Sequence, residues 1–413
     1  MKYRETKVGT VPEYWDVLPI KDITEVVTDY VANGSFASLA ENVKYKDEED
    51  VAVLIRLVDY NNDFQGKFVF VDEHAYEFLG KSKLFGNEII ISNVGANVGT
   101  VFRCPKLKYK MSLAPNSIMV KFKENNDFYY HWLRGYNGQQ MLQSIVTGSA
   151  QPKFNKTNFK EMVAPVPPLE EQNRIASILN SLDDKIEINR KINNNLEQQT
   201  QALYQEFFVV NASSEWKVGT ISDLGTVVGG STPSKSKPEY YTERGIAWIT
   251  PKDLSVNKSK FIARGENDIT ELGLRNSSAS IMPRGTVLFS SRAPIGYIAI
   301  AIGEMTTNQG FKSVVPNPEI GTPYIYHFLK ANLPIIEGMA SGSTFKEVSG
   351  STMKIVPACI PDKETLAKFN EICSPLFEQQ RVLEEQNQAL ASMRDSLLPK
   401  LMSGEIDVSE VDL

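Results

Sequence analysis

The chain has 413 residues, with 42% hydrophobic and 23% charged residues and a formal net charge of −6. That length allows two or three domains, each with its own core. The composition is that of a globular protein, with no apolar run long enough to span a bilayer and no charged-then-apolar leader in the opening MKYRETKVGT. Cys104, Cys359 and Cys373 are scattered without a C-x-x-C pair, which points to a reducing cytoplasmic setting and argues against a metal site. The negative total argues against nucleic acid until its distribution is seen. Residues 170–208 carry −3 and residues 361–413 carry −6, leaving +3 on the remainder. Val101 to Lys123 holds Arg103, Lys106, Lys108, Lys110, Lys121 and Lys123 without an acid. Basic globular parts joined to acidic segments fit DNA binding, and an ordinary solvated face is the competing reading.

In chain order, Trp15 to Asp22 reads as a Trp, an alternating apolar stretch and an Asp, followed by Val26-Val27. Trp216 to Asp223, followed by Val227-Val228, repeats the pattern. Each predicts a strand leading into a short helix or turn. Val51–Leu57 and Glu88–Ser92 in the first half, and Gly245–Thr250 and Thr286–Ser290 in the second, read as strands of mixed or β-rich domains without βαβ crossovers. A short helix recurs at Phe128–Leu133 and Tyr324–Leu329, and a small-residue loop at Thr147–Ala150 and Ser341–Thr344. Proline-marked exits follow at Val163–Pro168 and Val356–Pro361.

After each exit comes a long helical stretch. From Pro167 to Phe208, the stripe Ile175, Leu179, Leu182, Ile186, Asn189, Asn193, Leu196, Thr200, Leu203, Phe207 is a heptad seam with a polar middle. Such a helix cannot bury its seam on itself. An offset of 194 residues gives the second seam: Phe369, Cys373, Leu376, Gln380, Leu383, Asn387, Leu390, Arg394, Leu397, Leu401. A period of half the chain implies duplication of a domain-plus-helix unit, and the two helices pair most simply as an antiparallel coiled coil. Asn193 aligns with Asn387, and the two are expected to face each other as a register pin. Arg394 and Gln380 are expected to loosen the pairing locally.

Catalytic motifs are absent: no phosphate loop, dinucleotide fingerprint, nucleophile elbow or H-E-x-x-H. His131 and His327 occupy equivalent repeat positions and read as packing residues, and Asp362 and Glu364 as helix-start residues. No catalytic or metal-binding residue is assigned. Recognition remains. Candidate base readers are Arg56, Asn93, Asn97, Gln151, Asn155, Lys252, Arg292, Asn308 and Gln309; candidate phosphate contacts are Lys110, Lys153, Lys156, Lys235, Lys312 and Lys346, with Arg103 also assigned to DNA binding. Ordinary polar turn chemistry is the alternative for these loops.

The ordered stretches GGSTPSKSKPEYY (229–241), WITPKDL (248–254), SSRAPIGYIAI (290–300), NQGFKSV (308–314), PPLEEQNRIASIL (167–179) and LLPKLMSGEIDV (397–408) resemble the specificity subunit of type I restriction–modification systems. The resemblance covers essentially the whole chain. It implies an α+β fold with two mixed α/β target recognition domains, related by the internal repeat and separated by two long helices forming an antiparallel coiled coil. The expected division is 1–160 and 209–357 for the recognition domains, 161–208 and 358–402 for the helices, and 403–413 for a tail. Each domain would read one half of a split target in double-stranded DNA. The helices would set the spacing and dock two methyltransferase subunits, which a motor-nuclease restriction subunit joins. S-adenosylmethionine, ATP and Mg would belong to those partners, with no cofactor in this chain and no membrane association. The two domains differ strongly from each other, so base readers do not carry over from the motifs. A coiled-coil protein-interaction scaffold without DNA specificity is the alternative, and an enzyme with an unrecognised site a more distant one.

Overall fold

The structure is a computed structural model that describes residues 2–342 and 346–409. Part of the second small-residue loop, Ser343 and Thr344, and the last residues of the tail lie outside it. The chain divides into two compact units, residues 1–185 with 390–413, and residues 186–389. Each unit therefore contains one repeat's globular part together with a portion of each long helix.

The repeat is visible strand by strand. In the first unit the strand Asp16–Pro19 runs antiparallel to Val163–Val166, which leads directly into the first long helix, Leu169–Gln205. In the second, Lys217–Thr220 pairs in the same way with Pro357–Ile360, which leads into the second long helix, Lys363–Met402. The tryptophan ahead of each first strand secures the junction: Trp15 Nε1 donates to Glu171 Oε2 at 2.9 Å, and Trp216 Nε1 to Asp362 Oδ2 at 2.9 Å. Asp362 also caps its helix by accepting from the Thr365 backbone N–H at 2.9 Å. That N–H first, then the Thr365 hydroxyl and the Trp216 indole, hold its carboxyl down at about 2.

Each unit has a central antiparallel sheet in the same order. The first runs Thr24–Asp29, Ser117–Phe122, Ile89–Ser92, Val101–Arg103; the second runs Gly225–Gly229, Lys312–Pro316, Val287–Ser291, Ile295–Ala301, with Phe261–Ile262 added parallel at the edge. A second mixed sheet in each unit contains one parallel pair, Ala52–Ile55 with Lys110–Leu113 and Ile246–Ile249 with Thr306–Thr307. Those parallel neighbours are joined by long excursions rather than by one crossover helix. The repeated short helices, Asn126–Arg134 and Thr322–Ala331, carry the main packing. In the first unit Phe128, Tyr129 and Trp132 share a core with Ile175, Ala176 and Leu179 of the first long helix and Leu401 and Met402 of the second. In the second, Tyr324, Ile325 and Leu329 share one with Tyr204, Phe208, Phe369, Cys373 and Phe377. A lone pair of long helices would bury only a narrow seam; the globular cores supply the rest of the apolar partner surface.

The seam follows the heptad reading. Ile175, Leu179, Ile186, Asn189, Leu196 and Thr200 are buried and Leu182, Asn193 and Leu203 half-buried on the first helix; Phe369, Cys373, Gln380, Leu383 and Leu401 are buried and Leu376, Asn387, Leu390 and Leu397 half-buried on the second. The second helix continues through Pro375 and Pro399, although each proline removes one i→i−4 hydrogen bond. The expected pin is corrected by one turn. Asn387 Oδ1 accepts from Asn189 Nδ2 at 2.9 Å, not from Asn193. Asn193 instead accepts from Gln380 Nε2 through its backbone carbonyl at 3.2 Å, and its own Oδ1 is buried without a hydrogen-bond partner among the described residues. In an antiparallel pair, positions run against each other, so residues equivalent in the repeat need not face one another.

Nor do Arg394 and Gln380 loosen the pairing. Arg394 Nη1 donates to Asp183 Oδ1 at 2.7 Å in the first unit. Gln380 Oε1 accepts from Lys260 Nζ at 2.8 Å in the second. Both of these seam residues are paired.

The repeated histidines are buried against the first long helix. His131 Nε2 donates to Asn180 Oδ1 at 2.8 Å, whereas His327 Nε2 has no partner among the described residues and packs beside Tyr204 and Phe377. Burial draws His131 down to about 4 and His327 to about 3. An unfolded histidine titrates near about 6.5, so between there and the folded value the unfolded chain binds more protons and stability falls as pH drops. We expect each unit to be about 2 kcal/mol less stable at pH 5 than at pH 7 from this source. Denaturant unfolding at the two pH values, with His327→Phe removing the second unit's share, checks this; equal stability would contradict it.

Candidate nucleic-acid interface

Four segments converge in the second unit. Ser231 N–H donates to Thr307 O at 2.9 Å, Ser291 N–H to Gly310 O at 2.7 Å, and Val348 N–H to Ser291 O at 3.0 Å. A β-bridge joins Arg292 to Glu347. The approach is close: a Cβ on Gly230 would lie 1.9 Å from Asn308 O, so only glycine fits there. This backbone frame holds Arg292, Asn308, Gln309 and Lys312 together. Arg292 Nη1 lies 3.4 Å from Glu347 Oε2, and Lys312 Nζ lies 3.6 Å from Glu347 Oε1 and donates to Gln309 O at 3.2 Å. Burial lowers the Lys312 pKa, opposed by Glu347. Asn308 Oδ1 accepts from Gly310 N–H at 2.9 Å, closing an Asx turn. Gln309 Oε1 accepts from the Thr232 hydroxyl. Lys346 is exposed on the same segment as Glu347, and Lys235 is exposed beyond Pro233. Lys252 pairs with Glu266 at 2.6 Å.

The first unit builds the same frame from different side chains. Phe154 N–H donates to Asn93 O at 3.1 Å, as Val348 does to Ser291, and Thr147 and Lys153 exchange backbone hydrogen bonds as Ser341 and Glu347 do. Gly95 N–H donates to Pro152 O at 2.8 Å. Asn93 Nδ2 donates to Phe154 O at 3.1 Å, so Asn93 braces the frame. Asn155 caps the helix Lys156–Glu161, accepting from Asn158 N–H at 2.8 Å; Ser349 does the same for Gly350–Lys354. Asn97, Gln151 and Lys153 are exposed, and Lys156 Nζ pairs with Asp29 Oδ1 at 2.8 Å. Beside this frame lies a groove of about 510 Å³, walled by Asp29, Tyr30, Phe36, Tyr45, Asn93 and Asn116 among others.

Three further candidates also have internal partners. Arg56 forms a two-point pair with Asp59, at 3.0 and 2.6 Å, and donates to Lys67 O. Arg103 Nη2 lies 3.0 Å from Asp127 and donates to Asn180 at 2.8 Å, and its guanidinium stacks 4.1 Å from the Tyr130 ring. It ties the sheet edge to the first long helix. Lys110 pairs with Glu73 at 2.9 Å. The acid-free basic run is likewise met by acids from elsewhere: Lys108 by Glu49 and Lys121 by Glu25, while Lys123 donates to the Asp22 carbonyl. As a continuous cationic stripe that run does not exist in the fold.

Sequence reasoning missed the acids Glu347 and Asp29, which no local pattern marks, and a buried polar junction in the second unit. Lys260 Nζ donates to Glu197 Oε2 and Gln380 Oε1, both at 2.8 Å, and sits 3.3 Å from the centre of the Phe377 ring. Glu197 also takes Lys330 Nζ at 2.6 Å and the Tyr326 hydroxyl at 3.2 Å. Glu384 accepts from the backbone N–H groups of Lys260 and Phe261, both at 3.0 Å. Gln380, a polar residue in a seam, was the one signal of it. Among the described residues no cluster of three His, Cys, Asp or Glu side chains is placed to hold a metal, and no helix is long and apolar enough to cross a membrane.

Two copies of one loop frame, each on a unit that closes against both long helices, define the class. The chain belongs to the type I restriction modification DNA specificity domain family, whose model matches residues 12–198 and again 213–391. It is similar to the type I restriction enzyme MjaIX specificity subunit of Methanocaldococcus jannaschii, 39% identical over 191 residues, which spans 44% of this chain and 44% of that relative's length. It is also similar to the type I restriction enzyme EcoR124I/EcoR124II specificity subunit of Escherichia coli, 24% identical over 402 residues, covering 93% of this chain and 88% of the relative. The crystal structure of a type I restriction–modification S subunit from M. genitalium shares the fold, with a TM-score of 0.61 at 16% identity, covering 94% of this chain and 96% of that one.

Proposed function

We propose that this chain is the non-catalytic specificity subunit of a type I restriction–modification complex acting in the cytoplasm. Each globular unit reads one half of a bipartite target in double-stranded DNA. The long helices set the distance between the halves and dock two methyltransferase subunits, which a motor-nuclease subunit joins. S-adenosylmethionine, ATP and Mg act in those partners. The observation that carries this reading is the duplicated loop frame with different side chains: one scaffold, two chemistries, as two half-site readers require. The coiled-coil-scaffold reading accounts for the helices but not for that frame.

Arg292→Ala is expected to relax preference at a single base position, by about 1–3 kcal/mol of discrimination. Lys156→Ala is expected to weaken every sequence alike and to reduce the salt slope by about one. Binding of the assembled complex to duplexes across a salt series separates the two. Absence of both effects removes these residues from the interface.

A further inference from the structure

Most of the basic groups assigned to DNA are paired in the free protein, and in each loop frame one carboxylate stands among them. Glu347 is the better-built case. Its main chain exchanges hydrogen bonds with Ser341 at 2.9 and 3.1 Å, it forms the β-bridge to Arg292, and the next residue, Val348, is fully buried. The backbone thus fixes where the carboxylate sits. The side chain is 38% exposed, with Arg292 on one oxygen and Lys312 on the other. Glu347 offsets the burial of Lys312 and at the same time occupies both cations, so a purely phosphate-gripping surface would be tighter without it.

We infer that Glu347 is a specificity-determining residue of the second unit, a carboxylate that admits only a base edge presenting a hydrogen-bond donor or one that draws Arg292 away from it. This rests on the reading of the chain as a DNA-recognition subunit. A carboxylate accepts from cytosine N4 or adenine N6, but repels guanine O6 and N7 and thymine O4 unless Arg292 intervenes. It also holds back Arg292 and Lys312 from indiscriminate phosphate contact, exchanging non-specific affinity for selectivity. In the first unit the position matching Glu347 is held by Lys153, and the carboxylate beside the groove is instead Asp29, 14% exposed and 2.8 Å from Lys156.

The test uses the full chain assembled with its methyltransferase partner in cells, with methylated sites read by sequencing and binding measured on random duplex. Glu347→Gln, whose amide both donates and accepts, is expected to make one position of one half-site degenerate and leave the other half intact. Asp29→Asn is expected to degrade the opposite half. Non-specific binding by Glu347→Gln should rise about fivefold near 150 mM salt, with a salt slope steeper by about one, as for one cation released to phosphate. Glu347→Asp, which keeps the charge, should keep the wild-type salt slope. An unchanged motif in Glu347→Gln, loss of methylation at every site, or both variants degrading the same half would overturn the inference. If the unaltered complex gives no two-part motif, the underlying reading fails, and that result is distinct from all of these.

Discussion

Lys260→Ala is expected to destabilise residues 186–389 by about 3 kcal/mol, because removing one cation from a buried ion pair leaves the acid with less compensation for its burial. The Lys260 side chain is only 7% exposed and that of Glu197 22%. Burial draws the lysine down to about 8, against the pull of Glu197. Burial alone would push the Glu197 carboxyl up; Lys260, with Lys330, more than offsets this and holds it at about 2. Glu197 keeps Lys330 and Tyr326 after the substitution, which places the loss at the lower end for such pairs. Lys260→Met keeps the stem against Phe377 and Tyr326 but still leaves Glu197 one cation short, with Lys330 alone, so it should recover only part of the loss. Lys260→Met with Glu197→Gln removes both charges and should recover most of the loss. Denaturant unfolding followed in the second unit measures this. A loss below about 1 kcal/mol, or a double variant no better than the single, would show that the junction contributes packing and not a paired charge.

The second large effect concerns spacing. The first long helix is continuous over 37 residues and the second over 40, and each passes from one compact unit into the other. Inserting four residues into both helices, beside the Asn189–Asn387 layer, preserves the antiparallel register while adding about one turn, roughly 6 Å. At about 3.4 Å per base pair, the gap between half-sites should lengthen by one or two base pairs, with both half-site sequences unchanged. Methylated-site sequencing reads this directly. An unchanged gap would mean that the helices hold the units without setting the spacing.

The helices and the repeat were legible because they depend on periodicity: the apolar stripe from Ile175 to Leu203 and its copy at an offset of 194 needed no tertiary information. The paired short helices with His131 and His327 were legible for the same reason, as were the glycine-rich loops that became the two frames. What was not legible depended on residues distant in sequence. The basic run from Arg103 to Lys123 has no acid of its own, yet Asp127, Glu73, Glu49 and Glu25 reach it through the fold. Lys260, in the segment Lys258-Ser259-Lys260, resembles any surface lysine until Phe377, Tyr326 and Glu197 close around it. Aligning Asn193 with Asn387 mistook equivalence in the repeat for opposition in the pair; the pairing of Asn387 with Asn189 follows from antiparallel register.

On the proposed function, the two loop frames read two different DNA half-sites. Sequencing methylated sites in a host that carries the unaltered chain with its methyltransferase partner tests it most directly. The expected result is one interrupted motif, two dissimilar specific halves flanking a gap of fixed length and no sequence preference. Methylation without a motif, or a single uninterrupted motif that variants of both units alter together, would contradict it.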